Sequence, residues 1–195
     1  MQAFSVLIRL FYIENILMKE RYRYILGCTV LLVVAMIMGG CSNDEEPRFI
    51  MPVEVPVFFP SEFNTIETHT IELFSVPNQI QTWLSQNGIT VDEITSIVAG
   101  RGQFVPITSG IQYRLLNNMV INVSPIDSET DINEMYYNDF VEFDHSGNLE
   151  LLSSISELKD IMVDGVFDLQ VKYTLRQSLL TPTEHVLRFD LLIYD

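Results

Sequence analysis

Hydrophobic and polar residues alternate most regularly near the C-terminal end of the chain. Phe167, Leu169, Val171, Tyr173 and Leu175 alternate with Asp168, Gln170, Lys172, Thr174 and Arg176. After a polar stretch, Leu187, Phe189, Leu191 and Ile193 alternate with Arg188 and Asp190. A period of two puts one face of a strand in a core and the other in water. Two long half-buried strands are therefore predicted, joined as the last hairpin of an antiparallel sandwich. Ile111, Tyr113 and Leu115 followed by Met119, Ile121 and Val123 predict a second hairpin. Its turn falls at Asn117-Asn118, because asparagine tolerates left-handed backbone angles. Tyr136 to Phe143 and Leu149 to Leu152 predict a third hairpin, joined through residues 144–148. Thr65 to Phe74 reads as a strand. Pro52, Pro56 and Pro60 recur every four residues around Val53 to Phe59. Proline cannot donate to a ladder, so any strand there is an edge or a first strand.

Two segments carry the helical period instead. Ile80, Trp83 and Leu84 follow Pro77-Asn78 and precede Gly88. This predicts a short amphipathic helix with Asn78 as N-cap and Gly88 as terminator. Ser154 and Glu157 have capping-box spacing, with Ile155, Leu158, Ile161 and Met162 on one face. Asp92 to Pro106 fits helix at Ile94, Ile97 and Val98 and strand from Phe104 to Ile107. The fold class is mainly β, with one or two short helices. An antiparallel β-sandwich of the immunoglobulin-like kind is expected first, and a small β-barrel is the alternative. No internal repeat of 20–50 residues is visible in the sequence.

Composition shifts this picture at the N-terminus. Residues 19–23 are Lys-Glu-Arg-Tyr-Arg, and Ile25 to Gly40 carries no charge and no proline. A basic region, an apolar run and small residues before a cleavage point define a secretory signal. The run is shorter than the roughly 20 apolar residues a transmembrane helix needs. Met38-Gly39-Gly40-Cys41 resembles the lipobox of bacterial lipoproteins, with methionine where leucine is usual. The resemblance implies cleavage before Cys41, diacylglycerol on its thiol and acylation, typically palmitate, of the new N-terminus. Ser42 after the cysteine implies the outer membrane. Asp44, Glu45 and Glu46 resemble the acidic export signal of surface lipoproteins in Bacteroidota-type bacteria, which implies display on the cell surface; a periplasmic face is the alternative. Residues 1–40 are thus read as the signal peptide, with 1–17 an over-extended start ahead of Met18. Residues 41–52 are the acylated cysteine and acidic tether, and 53–195 a single β-rich domain.

Charge and chemistry narrow the function classes. The chain has 195 residues and a formal net charge of -15. Removing residues 1–40 takes four of eleven basic and two of 26 acidic residues, leaving seven against 24. A field this negative repels phosphate and argues against nucleic acid. The one cysteine left would be lipidated, which excludes thiol catalysis. There is no Gly-x-Ser-x-Gly elbow, no His-Glu-x-x-His pair and no phosphate loop. His69, His145 and His185 lack ligand spacing for zinc or haem and read as surface histidines. Asp127, Glu129, Asp131 and Glu134 have alternating acids that suit a weak calcium loop, without the glycine of an EF-hand. A solvated acidic face is the simpler reading of the same residues. Met135-Tyr136-Tyr137, Trp83 and Tyr194 could form a glycan- or protein-binding surface, or pack in the core.

These features point to an outer-membrane, lipid-anchored lipoprotein with a non-enzymatic binding or accessory domain. Its partner would be an envelope protein or a glycan. Two other readings are an envelope hydrolase using paired carboxylates and a small-ligand carrier with a barrel interior.

Overall fold

The computed structural model describes residues 46–61, 63–107, 113–128, 130–143 and 147–195. Among the described residues, eight strands and two helices follow one another. They are β1 (Phe49–Phe59), β2 (His69–Pro77), α1 (Ile80–Asn87), β3 (Ser96–Pro106) and β4 (Leu116–Ser124), then β5 (Asn133–Asn138), β6 (Leu149–Ser153), α2 (Lys159–Met162), β7 (Val166–Leu175) and β8 (Thr183–Tyr194). Short 3-10 turns sit at Val91–Glu93 and Tyr113–Leu115.

The strands form one antiparallel sheet in the order β1-β8-β3-β6-β5-β4-β7-β2. β5 and β6 are joined by only two residue pairs, Tyr136 with Ser153 and Tyr137 with Leu152. β1 and β2, each hydrogen-bonded to a single neighbour, come into contact at the seam. The sheet is therefore nearly closed and barrel-like, the alternative the pattern allowed, in place of the two-sheet sandwich expected first. Closure hides edges that would otherwise invite pairing with other chains. β1 carries Pro52 and Pro56 on its outward face and pairs with β8 alone, where a missing N–H is tolerated. It begins at Phe49, inside the segment read as tether.

The order has a hidden regularity. Counting four strands on from each position, and returning to β1 after β8, reproduces the same ring. Each half runs β-β-α-β-β, first from Phe49 to Ser124 and then from Asn133 to Tyr194. The weak seams β1/β2 and β5/β6 are equivalent under this operation. All odd strands point one way and all even strands the other, because every pair is antiparallel. Both helical connections consequently lie at one end of the barrel, and the chain enters and leaves at that same end. Arg48 and Asp195 close it with an ion pair of 2.6 Å.

Three predicted features are corrected. β7 and β8 are the strongly alternating strands expected, but they are not a hairpin: β7 pairs with β4 and β2, and β8 with β1 and β3. The residues between them cross the barrel mouth. Asn117-Asn118 is not a turn. Both lie inside β4, where the register against β7 slips between Leu116 and Asn118, and Tyr113–Leu115 forms the 3-10 turn. A bulge accommodates the extra residue that the sequence suggested was a reversal. The second helix is one turn long. Ile155 is fully exposed, and Glu157 accepts hydrogen bonds from Ser96 Oγ, Ile97 N–H and Lys159 N–H instead of forming a box with Ser154. A capping box forms elsewhere, between Thr90 and Glu93. β5 and β6 pair as expected, although β5 runs Asn133–Asn138 rather than Tyr136 to Phe143, and the α1 helix is as expected. Gly88 terminates α1 in the left-handed region at φ 66°, its N–H bonded back to Leu84 and Ser85 carbonyls. Asn78 sits one residue outside the cap, accepting from Ile80 N–H and donating to Met162 O, so it also ties α1 to α2.

The interior is packed along its length. Val55, Val57, Ile97, Phe104, Ile121, Leu169 and Leu191 are among the buried inward residues. Tyr136 reaches from β5 to β3 and lies against Gly102, where a Cβ would stand 2.6 Å from its ring. Its hydroxyl reaches the carbonyls of Asp190 at 3.3 Å and Arg101 at 3.5 Å. Trp83 of α1 stacks on Phe49 with ring centroids 4.7 Å apart. Met135 and Tyr136 are fully buried, as the core reading of these residues expects.

Candidate functional site

The end of the barrel opposite the helices is the mouth, where β1, β3, β5 and β7 end and β2, β4, β6 and β8 begin. A cavity of about 380 Å³ lies there, within the range of small-molecule sites. Its deep surface is built from Phe59, which ends β1, Tyr113 before β4, Leu175, which ends β7, and His185 near the start of β8. Leu115, Leu179 and Leu180 continue the apolar wall outward, and Arg114, Gln177 and Thr181 stand at the rim. The wall is held together by the backbone: Arg176 N–H donates to Leu115 O at 2.7 Å, fixing the 3-10 turn to the end of β7.

His185 is the polar centre of this region and is only 3% exposed. Its Nδ1 is 2.9 Å from the Tyr113 hydroxyl, and its Nε2 is 2.9 Å from Thr183 Oγ1. Phe59 packs edge-on against its ring with centroids 4.9 Å apart. Loss of solvent disfavours the charged imidazole and lowers the His185 pKa to about 4. The same burial pushes the Tyr113 phenol up. Both groups are neutral at pH 7, and each ring nitrogen of a neutral imidazole finds a hydroxyl partner.

His69 lies close by, also buried. Its Nε2–H donates to Asn64 O at 2.7 Å, and its ring stacks on Phe63 with centroids 4.3 Å apart. Tyr173 packs between Phe59 and His69. The Tyr173 hydroxyl is buried with no hydrogen-bond partner among the described residues, and its pKa is pushed up to about 12 by burial. His69 and His185 are therefore not surface histidines. The signal that locates His185 was present in the period: it lies on the parity of Leu187, Phe189, Leu191 and Ile193, all inward. Neither imidazole bonds a carboxylate among the described residues, so no Ser–His–acid relay is assembled around them. His145 lies outside the described residues.

A second concavity of about 470 Å³ lies on the outer face of β2, β7 and β4, near the helix-covered end. Glu72, Gln170 and Asn122 form a ladder across it. Gln170 Nε2 donates to Glu72 Oε1 at 3.2 Å, and Asn122 Nδ2 to Gln170 Oε1 at 3.3 Å. The exposed Phe74 stands beside this row. Among the described residues three acids line it: Glu72, Asp127 and Asp168. Asp168 is committed to the backbone, accepting from Ser75 N–H at 2.7 Å and Asp127 N–H at 3.4 Å.

The remaining sequence-predicted residues fall as follows. Cys41 and its context, Met38, Gly39, Gly40, Ser42, Asp44 and Glu45, lie outside the described residues; Glu46 is exposed. Asp127 and Asp131 are exposed in the β4–β5 connection, Glu134 is exposed in β5, and Glu129 lies outside the described residues. Ser128 Oγ donates to Asp131 Oδ2 at 3.2 Å. No group of three or more metal-ligating side chains is gathered among the described residues. No helix among them is long and apolar enough to cross a membrane. Comparison with protein-family models, curated proteins and solved structures finds no match to this chain.

Proposed function

We propose that this chain is an outer-membrane lipoprotein, acylated at Cys41, whose barrel is a non-enzymatic binding module displayed on the cell surface. The observation that carries the binding reading is the asymmetry of the barrel. One end is covered by α1 and α2, while the other keeps an apolar cavity over a buried, neutral histidine–tyrosine pair. Buried side chains along the described barrel interior, with a cavity at the mouth, suit a ligand held at the rim rather than one enclosed by the barrel. The anchor reading rests on Met38-Gly39-Gly40-Cys41 and the acidic residues after it. The carboxylate chemistry of a hydrolase is less favoured, because Asp168 and Glu72 serve hydrogen bonds within the fold. The planar polar ladder beside exposed Phe74 supports a glycan or envelope protein as a neighbour on the outer face.

Expression in a Gram-negative host with an alkyne-bearing fatty acid tests the anchor. The wild-type chain is expected to take up label and fractionate with outer membrane, and Cys41→Ala to lose both. Protease added to intact cells should remove the domain. Persistent labelling of Cys41→Ala would overturn the assignment, and complete protection would place the domain on the periplasmic face.

A further inference from the structure

We propose that the mouth cavity binds a small anionic amphiphile, a single-chain or aryl carboxylate. Its apolar body would lie against the leucine wall and its carboxylate on Arg114. This rests on the mouth cavity being a ligand site and adds the chemical class. The volume of about 380 Å³ corresponds to roughly a dozen water volumes of about 30 Å³ each. That admits one short chain or one ring with a head group. It is too small for a two-chain lipid.

Charge selects the head group. Acidic residues outnumber basic ones 24 to seven after residue 40, yet among the described residues no aspartate or glutamate lines this cavity. Among the described residues Arg114 is the one charged side chain lining it at neutral pH, since burial keeps His185 neutral. Arg48, Arg101 and Arg188 are engaged in ion pairs with Asp195, Glu150 and Glu54. Arg114 has no ion pair among the described residues and is exposed at the rim. A guanidinium matches a carboxylate with two parallel hydrogen bonds. The 3-10 turn that carries Arg114 is fixed to β7 through Leu115 O, which holds Arg114 beside the apolar wall it lines.

The test uses the full lipidated chain in phosphatidylcholine nanodiscs, titrated calorimetrically with octanoate and its neutral analogue octanamide, against empty nanodiscs. Octanoate is expected to bind one saturable site at least tenfold more tightly than octanamide. Arg114→Gln is expected to bring octanoate down to the octanamide level and leave octanamide unchanged. Leu180→Glu, at the exposed rim, is expected to weaken octanoate at least tenfold by repulsion. Equal binding of the two probes to the wild type, or octanoate binding indifferent to Arg114→Gln, would overturn the anionic class while leaving the cavity a binding site. Saturable binding of neither probe would overturn the cavity reading itself.

Discussion

At the residue scale, His185 sets how the fold responds to acid. Its imidazole titrates at about 4 in the folded chain and near 6.5 when unfolded. Between those values the unfolded state binds the extra proton. Stability is therefore fully present above about pH 6.5 and is lost progressively as pH falls toward 4. The loss attributable to this one group is about 2–3 kcal/mol. Thermal melts from pH 7 to pH 4 should show a fall in Tm that His185→Gln flattens. A variant that keeps the wild-type acid slope would assign it to other groups. The parity of His185 with Leu187 and Phe189 carried its inward direction, although the sequence reading placed it on the surface. It did not reveal that Phe59, Tyr113 and Phe104 close over the ring, because those residues arrive from β1, the β3–β4 connection and β3. The mouth cavity was illegible for the same reason, being assembled from chain segments more than a hundred residues apart.

At the element scale, Asp168 at the start of β7 acts as a clamp. Its carboxylate holds two backbone N–H groups belonging to Ser75, at the β2 bulge, and Asp127, in the β4–β5 connection. These are the two non-glycine residues with positive φ among those described, at 53° and 57°. Such backbone persists where its surroundings enforce it. Asp168→Ala should cost about 1–2 kcal/mol of unfolding free energy, since exposed charge-assisted bonds are lost and the strain remains. Adding Ser75→Gly and Asp127→Gly should recover part of that loss, as glycine adopts positive φ freely. Denaturant titration of the three variants checks this; no recovery would show that the bonds, not the backbone angles, dominate. The strands themselves were legible, because Phe167 to Leu175 and Leu187 to Ile193 carry their period openly. Their partners were not. Alternation states which face is buried and says nothing about which strand lies alongside, so β7 and β8 looked like a hairpin. Asn117-Asn118 shows the same limit, because a turn and a bulge draw on the same residue types.

At the scale of the molecule, the barrel is two equivalent β-β-α-β-β halves in a ring that maps onto itself. The equivalence survives in strand order without a visible sequence repeat, since topology needs only the apolar face of each strand to be kept. In such a ring the chain ends are a matter of where the loop was opened. Arg48 and Asp195 already touch, and the β4–β5 connection is the counterpart of the junction between β8 and β1. A circular permutant that joins Asp195 to Glu46 through a short glycine linker and opens the chain between Ser128 and Ile132 would begin at β5 and end at β4. It should give the same β-rich circular dichroism, a cooperative melt and an intact mouth cavity. Loss of cooperative folding would mean that β1 and β8 must come together from opposite ends of the chain. The permuted protein would also start in the β4–β5 connection, so a tether could be moved halfway round the helix-bearing end while the mouth opposite kept its shape.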